Sequence, residues 1–239
     1  MIGDWGAGTP SQRAVAQGIC AALERDEDRI VVTTGDNFYD PDGTATPRNF
    51  TEPMRCLLRA KVQWRASWGN HDAQGRSTKQ VLGASRWYRW RVRGAEFFML
   101  DSNNVGDADQ RSWLAERLAA SRARAKVVVF HHPPYTVGSV HGPDERVQRE
   151  WVPLFRRHRV TLVLSGHNHL YEHHIVAGLH YVVSGGGGNH LYRCDRSTPR
   201  LIRCEESHHF LLVTIREDAV TVRAVMPSGR VFDRFRISV

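Results

Sequence analysis

The sequence predicts an α/β protein built as a four-layer α/β/β/α sandwich: two mixed sheets packed face to face, helices outside, and a metal site at the carboxyl ends of the strands. Three observations predict it. Short β-branched apolar runs alternate with amphipathic helical stretches through most of the chain. The last stretch reads instead as an antiparallel β-meander. Finally, five strand ends lead at once into Asp, Asn, Tyr or His, mostly behind a glycine.

Taken in order, Ser11 to Glu24 has helical spacing, and Ile30 to Thr34 (IVVTT) is a buried strand. Arg65 to Trp68 is a weaker strand and Phe97 to Asp101 (FFMLD) a firmer one. Ala108 to Ser121 is helical, with Trp113, Leu114 and Leu118 on its apolar face. Val127 to Phe130 and Val160 to Leu164 are strands separated by the helical stretch Glu145 to Arg157. Tyr181 to Ser184 is the next strand and ends in the run Gly185 to Gly188. Phe210 to Arg216, Val220 to Val225 and Val231 to Ile237 complete the chain, with turns at Glu217-Asp218 and Pro227-Ser228-Gly229. This meander, 208–239, belongs to the same domain.

A length of 239 residues suits a single domain, 1–239, with its own core. Only Met1, Ile2 and Gly3 precede Asp4, whereas a buried strand usually has ~5–6 residues. The first strand is therefore expected to be truncated in this sequence, with the true start and any signal peptide lying upstream. No apolar run approaches the ~20 residues of a membrane-spanning helix, so no membrane partner is expected. A charged fraction of 24% without low-complexity segments excludes intrinsic disorder.

The net charge of +8 comes mainly from arginine, since only Lys61, Lys79 and Lys126 are lysines. These arginines spread from Arg13 to Arg236 with no recognition motif beside them. The charge is thus read as weak steering of anionic substrates, and nucleic acid is not expected except as a substrate.

Four cysteines without a Cys-x-x-Cys pair exclude a disulfide scaffold and a zinc knuckle. Cys194 and Cys204 flank a polar, Pro-containing loop (Asp195 to Arg203) and could close it. Cys20 and Cys56 lie in separate helical stretches and pair only if the fold brings them together. Four inert thiols is the other reading.

The chemistry lies in the residues placed directly after each strand. IVVTT leads to Gly35-Asp36-Asn37-Phe38-Tyr39, the Arg65 strand to Gly69-Asn70-His71-Asp72, and Val127 to Phe130 to His131-His132-Pro133-Pro134. Val160 to Leu164 leads to Gly166-His167-Asn168-His169, and Gly3-Asp4-Trp5-Gly6 has the same form at the N-terminus. Ligands of α/β sheets bind outside the carboxyl ends of the strands. Convergence of these ends would gather carboxylate, carboxamide, phenol and imidazole, a mixture suited to Fe, Mn or Zn and unlike a thiolate zinc site. Two Asp can hold two cations with one carboxylate bridging. Such a pair, ~3.5–4 Å apart, clamps in-line displacement at phosphorus. No Gly-x-Ser-x-Gly elbow or His-Glu-x-x-His helix is present, and the glycine run lacks the context of a Walker or dinucleotide loop.

The ordered blocks Asp4-x-Gly6, Gly35-Asp36-x-x-Tyr39, Gly69-Asn70-His71, His131 and Gly166-His167-x-His169 resemble those of the calcineurin-like metallophosphoesterases. They resemble specifically the purple acid phosphatase branch, in its small tartrate-resistant type. Position 6 is Gly where many members of the wider family have His, and Tyr39 stands three residues after Asp36, where the branch places the phenolate ligand of Fe(III). The resemblance implies that Asp4, Tyr39 and His169 hold a first metal, Fe(III). Asn70, His131 and His167 would hold a second, which is Fe, Zn or Mn, and Asp36 would bridge the two. His131 is preferred to His132, the fallback ligand, because it directly succeeds the strand and stands two residues before Pro133. His71 and His141 are implied as catalytic groups near the substrate.

The implied reaction is hydrolysis of a small phosphomonoester by in-line attack of hydroxide generated at the metals. A phosphodiesterase or nuclease on the same centre is the alternative, and a non-catalytic binding module is a third reading. A secreted or periplasmic location fits the resemblance better than a cytoplasmic one.

Other residues carry less. His173 and His174 could line the pocket but are read as structural or solvent-facing. At most one of His208 and His209 should face inward, and His158, His180 and His190 have no motif. Gly185 to Gly188 either allows close approach to the metal site or forms a flexible turn. His190 and Tyr192 could reach substrate, and Asp101 to Asn104 could border the pocket structurally.

Overall fold

Alternation along the strands sorts apolar side chains onto two faces, and those faces build the layers. The computed structural model describes residues 1–23, 29–195 and 197–239. In chain order the elements are α1 (Pro10–Leu23), β1 (Ile30–Thr33), α2 (Arg55–Arg59), β2 (Gln63–Ala66), α3 (Ser77–Leu82), β3 (Tyr88–Val92), β4 (Ala95–Met99), α4 (Ala108–Ala120) and β5 (Ala125–Val129). They continue with α5 (Glu145–Glu150), α6 (Val152–Arg157), β6 (Leu162–Ser165), β7 (Tyr171–Val176), β8 (Leu179–Ser184), β9 (Leu201–Glu205), β10 (Phe210–Ile215), β11 (Ala219–Val225) and β12 (Val231–Ser238).

One sheet has seven strands in the order β3-β4-β5-β6-β8-β7-β9. Its centre, β4, β5, β6 and β8, is parallel, while β3 and β7 add antiparallel. Opposite it lie the parallel pair β1–β2 and the antiparallel β10–β11–β12. Backbone of Met1–Gly3 joins these two pieces. The Ile2 N–H donates to Val32 O at 3.0 Å, and the Leu211 N–H donates to Met1 O at 2.9 Å.

Phe97, Met99, Val127, Val129, Leu162 and Leu164 face inward onto Val32, Leu211, Val220 and Val222 of the opposing sheet. Their strand neighbours Phe98, Val128, Phe130 and Val163 face outward and are covered by Leu114, Leu118, Val147, Trp151 and Phe155 of α4–α6. On the far side, Val15, Ala16 and Ile19 of α1 and Leu57 of α2 cover Val31, Ala66, Phe210 and Val225. The result is the predicted four-layer α/β/β/α sandwich, with the central strands burying both faces as parallel strands do.

Several boundaries differ from the sequence reading. The stretch Glu145 to Arg157 is two helices, not one. They meet at Trp151, and Pro153 near the start of α6 has no N–H to give to the preceding turn. Glu24, the expected last residue of the first helix, lies outside the described residues. The strands β3, β7 and β9 were not expected. Leu201 to Arg203, assigned to the Cys194–Cys204 loop, belongs to β9; of that loop, Arg196 lies outside the described residues. Both cysteine pairs are disulfides, Cys20–Cys56 linking α1 to α2 and Cys194–Cys204 tying the loop to β9. The four inert thiols are thereby excluded.

Candidate metal centre

The chain ends its strands with backbone that few residues tolerate. Asp4, Asp36 and His167 all have left-handed backbone, at φ 57, 48 and 71°. Each such residue costs on the order of 1 kcal/mol and persists where the surroundings fix it, a pattern typical of functional sites. Gly69 leaves room for the Asp36 carboxylate, since a Cβ there would fall 2.1 Å from Asp36 Oδ1. A Cβ on Gly185 would fall 2.1 Å from Asn168 O and 3.0 Å from Asp4 Oδ2. The glycine run is therefore a close approach to the site, which decides between its two readings.

Around Asp4, the Tyr39 hydroxyl donates to Asp4 Oδ1 at 3.3 Å and lies 3.0 Å from His169 Nε2, which is 3.6 Å from Asp4 Oδ1. Around Asp36, His131 Nε2 lies 3.4 Å from Asp36 Oδ1, 3.0 Å from Asn70 Oδ1 and 3.1 Å from His167 Nδ1. Carboxylates of Asp4 and Asp36 and a ring nitrogen of His131 fall within 4.8 Å of one another, joining the two groups. Asp4, Asp36, His131 and His169 form a buried floor, whereas Asn70 and His71 are exposed and His132, His141 and His167 partly so. All seven predicted ligand positions are thus brought together with one side open to solvent.

Tautomers sharpen the arrangement. His131 Nδ1 lies 2.9 Å from the Thr34 carbonyl and His169 Nδ1 lies 2.8 Å from the His190 carbonyl. A carbonyl only accepts, so each Nδ1 carries a hydrogen, and in the neutral ring each Nε2 presents a lone pair to the centre. Holding the second ring nitrogen in this way is how metal-binding histidines are usually oriented.

Charge points the same way. Burial and the nearby Asp36 push the Asp4 carboxyl well above its usual range. Burial pushes Asp36 up too, but His131 and His71 overcome it and hold its carboxyl below the usual range. His131, despite burial, is pushed up to about 9 by Asp36 and Asp4. Burial lowers His169 to about 4 and also depresses His167, helped by the charge on His131. Burial disfavours the charged carboxylates here, and positive charge beside them, such as that on His131, offsets the cost. This donor set fits bound cations.

His71 donates its backbone N–H to Asp36 Oδ1 at 3.0 Å, and its ring is 4.5 Å from that of Tyr39. His141 stacks on His167 with centroids 4.0 Å apart. It is placed by Asn168, whose Oδ1 accepts from the His141 N–H and whose Nδ2 donates to the His141 carbonyl, at 3.3 and 2.9 Å. His132 also borders the site, a ring nitrogen within 4.8 Å of those of His131 and His167. His190 and Tyr192, read as able to reach substrate, both contact His169, His190 through its backbone carbonyl. The first orients His169 and the second stacks on it at 4.2 Å.

Sequence reasoning missed the braces. Asp72 is fully buried and accepts from the N–H groups of Asn37, Phe38 and Gly69 and from Thr78 Oγ1. It thereby clamps the Asp36 turn to the Asn70 turn; burial and Asp36 raise it to about 6. Its place in Gly69-Asn70-His71-Asp72 was the available signal. Ser102, at the expected border segment, binds the His131–His132 backbone. His173 and His174 lie elsewhere: His174 Nε2 meets Glu172 Oε2 at 2.6 Å and His173 Nε2 meets His180 Nδ1 at 2.9 Å. His209 is buried against Ser184 and Ser207 while His208 is only partly so, as the inward-facing rule required.

The model of the calcineurin-like phosphoesterase family matches residues 1–171. The chain belongs to that family. Purple acid phosphatase 17 of Arabidopsis thaliana is 29% identical over 212 residues, covering 72% of this chain and 62% of the relative. Tartrate-resistant acid phosphatase type 5 of Sus scrofa is 26% identical over 233 residues, covering 78% and 68%. The chain therefore spans about two thirds or less of these relatives. Among solved structures, the purple acid phosphatase PPD1 from yellow lupin superposes with TM-score 0.86 at 18% identity, over 99% of this chain and 52% of that one. GAP50, described as the anchor in the inner membrane complex of Plasmodium, gives 0.85 at 18% identity, over 100% and 87%. Those two likenesses concern the fold. The expected hydrolase family and its purple acid phosphatase branch agree with the relatives' names.

Proposed function

We propose that this calcineurin-like phosphoesterase is a phosphomonoesterase with a binuclear metal centre. Asp4, Tyr39 and His169 hold one ion, Fe(III), and Asn70, His131 and His167 hold the other, which is Fe, Zn or Mn. Asp36 bridges them. The observation that carries this reading is the pair of donor groups meeting at Asp36, with the Nδ1 atoms of His131 and His169 engaged by carbonyls and their Nε2 atoms turned inward. When bound, the metal pair supplies a water of lowered pKa and positive charge for the phosphoryl oxygens.

The chain's own residues do the rest. Asp72 and the glycine turns fix the carboxylates, so little reorganises during reaction. His71 and His141, on the open side, bind the phosphoryl oxygens and deliver a proton to the departing alkoxide. Both carboxylates lie on the buried floor, so an anionic ester meets imidazoles first. The +8 charge supports steering of such esters.

A small phosphorylated molecule is the expected partner. The disulfides Cys20–Cys56 and Cys194–Cys204 support an oxidising, secreted or periplasmic location. GAP50 shows that this fold also serves as an anchor, so the site, not the fold, argues for catalysis. The test is turnover of an aryl phosphate by protein loaded with iron and zinc, compared with a bis-aryl ester. Fast monoester and slow diester turnover support the reading. Preferential diester turnover would replace it with the phosphodiesterase, and metal-loaded protein with neither activity would refute it.

A further inference from the structure

His132 is an imidazole at the centre to which neither the proposed ligand set nor the pair His71 and His141 gives a role. Its ring stands 4.9 Å from that of His131 and 4.5 Å from that of His167, close enough to compete as a ligand. Ser102 decides its role. The Ser102 hydroxyl oxygen accepts from the backbone N–H of His131 at 3.2 Å and from that of His132 at 2.9 Å. A hydroxyl has two lone pairs and one hydrogen. With both lone pairs engaged, its hydrogen goes to the remaining neighbour, His132 Nδ1, at 2.8 Å. Nδ1 is then the acceptor, and the neutral ring carries its hydrogen on Nε2.

This is the opposite tautomer to that of His131 and His169, whose Nδ1 atoms donate to carbonyls. Ser102 is only 4% exposed, so Nδ1 faces the interior. The ring is partly exposed and packs 4.5 Å from that of His167, on which His141 stacks, and Nε2–H is on the edge away from Nδ1. We infer that His132 is a hydrogen-bond donor through Nε2–H to a phosphoryl oxygen of the substrate and to the phosphate product, not a metal ligand, with Ser102 as the positioning residue that sets its tautomer. This rests on the phosphatase reading above and adds a phosphate-recognising group to it.

The test uses metal-loaded full chain and the variants His132→Leu, His132→Gln and Ser102→Ala. Metal content per chain is measured by elemental analysis, phosphate binding by calorimetry, and KM and kcat with an aryl phosphate. Leu removes the donor, whereas Gln places an amide N–H near the Nε2 position. The expected result is unchanged metal content in all variants. Phosphate Kd and KM rise roughly ten- to hundredfold in His132→Leu, as for loss of a hydrogen bond to a charged group. In His132→Gln they return most of the way, and Ser102→Ala falls between.

Loss of about one metal ion per chain in His132→Leu would overturn the inference by making His132 a ligand. Unchanged Kd and KM in an active His132→Leu would overturn it with the phosphatase reading intact. Wild-type protein that holds its metals yet neither binds phosphate nor turns over ester would bring down both.

Discussion

Nε2 of His131 faces Oδ1 of Asn70 at 3.0 Å, although neither atom carries a hydrogen when the imidazole is neutral. His131 has its hydrogen on Nδ1, committed to the Thr34 carbonyl. Two acceptors held this close need a cation between or upon them, either a proton on Nε2 or a metal. The same contact without one would be repulsive.

That relationship sets the first prediction. Asn70→Ala and His131→Ala should each lower bound metal from two ions to about one per chain, measured by elemental analysis, and leave the far-UV circular dichroism unchanged. Asp36→Ala should remove both. Two ions retained in Asp36→Ala would contradict its bridging role.

Gly69 offers a purely steric test. A methyl group there would overlap Asp36 Oδ1, 2.1 Å away, and the adjoining backbone N–H at 2.3 Å. Gly69→Ala should reduce kcat by at least roughly a hundredfold, because an ~1 Å displacement of a catalytic group costs on that scale. Metal content should fall with it. Wild-type kcat in this variant would mean that Asp36 is not held where the structure puts it.

Stability should depend on His209, which is fully buried and donates from Nδ1 to the Ser207 carbonyl at 2.9 Å. Burial lowers its pKa from 6.5 to about 4. Because the folded-state value is depressed, the contribution is full above pH 6.5 and is lost as pH falls toward 4, amounting to about 3 kcal/mol. His209→Gln, which cannot titrate, should lose less Tm between pH 7 and pH 4.5 than the wild type in a calorimetric series. Parallel curves would show that other groups govern the acid limb.

The Cys20–Cys56 disulfide closes a loop across 36 positions and joins the two helices of the outer layer. Cys20→Ser with Cys56→Ser should cost about 3–4 kcal/mol in denaturant unfolding. Metal content should hold, since the bridge lies away from the centre. A loss below about 1 kcal/mol would show that the bridge does little for the native state.

The fold class and the convergence of donor residues were legible in the sequence, whereas several strands and the braces were not. Strand-end blocks such as Gly35-Asp36 and Gly166-His167 announce themselves because a metal needs specific donor types behind sharp turns. Asp72 and Asn168 were assigned no role and Ser102 only a place on the border, since they act on backbone N–H and C=O groups that no side-chain pattern records. Among the strands, β7 was hidden because its buried Glu172, His173 and His174 break the apolar run: Glu172 is met by Thr136, His173 by His180, and His174 by Glu172 on the same strand. β3 alternates Tyr88, Trp90 and Val92 with Arg89 and Arg91, whose charges are met by Glu96 across the strand pair. β9 was masked by the polar loop before it and by Cys204, which reads as a loop anchor. Pro153 was the overlooked sign that α5 and α6 are separate.

Tyr39 provides the most direct test of the metal centre. Its hydroxyl stands 3.3 Å from Asp4 Oδ1 and 3.0 Å from His169 Nε2, and burial with the two carboxylates pushes its pKa far up, so only a strongly acidic cation would ionise it there. The measurement is the visible absorption spectrum of purified protein alongside its metal content, for the wild type and Tyr39→Phe. Two metal ions per chain, one of them iron, with a visible charge-transfer band that vanishes in Tyr39→Phe, is the predicted result. Wild-type protein that holds only zinc or manganese and shows no band would contradict it.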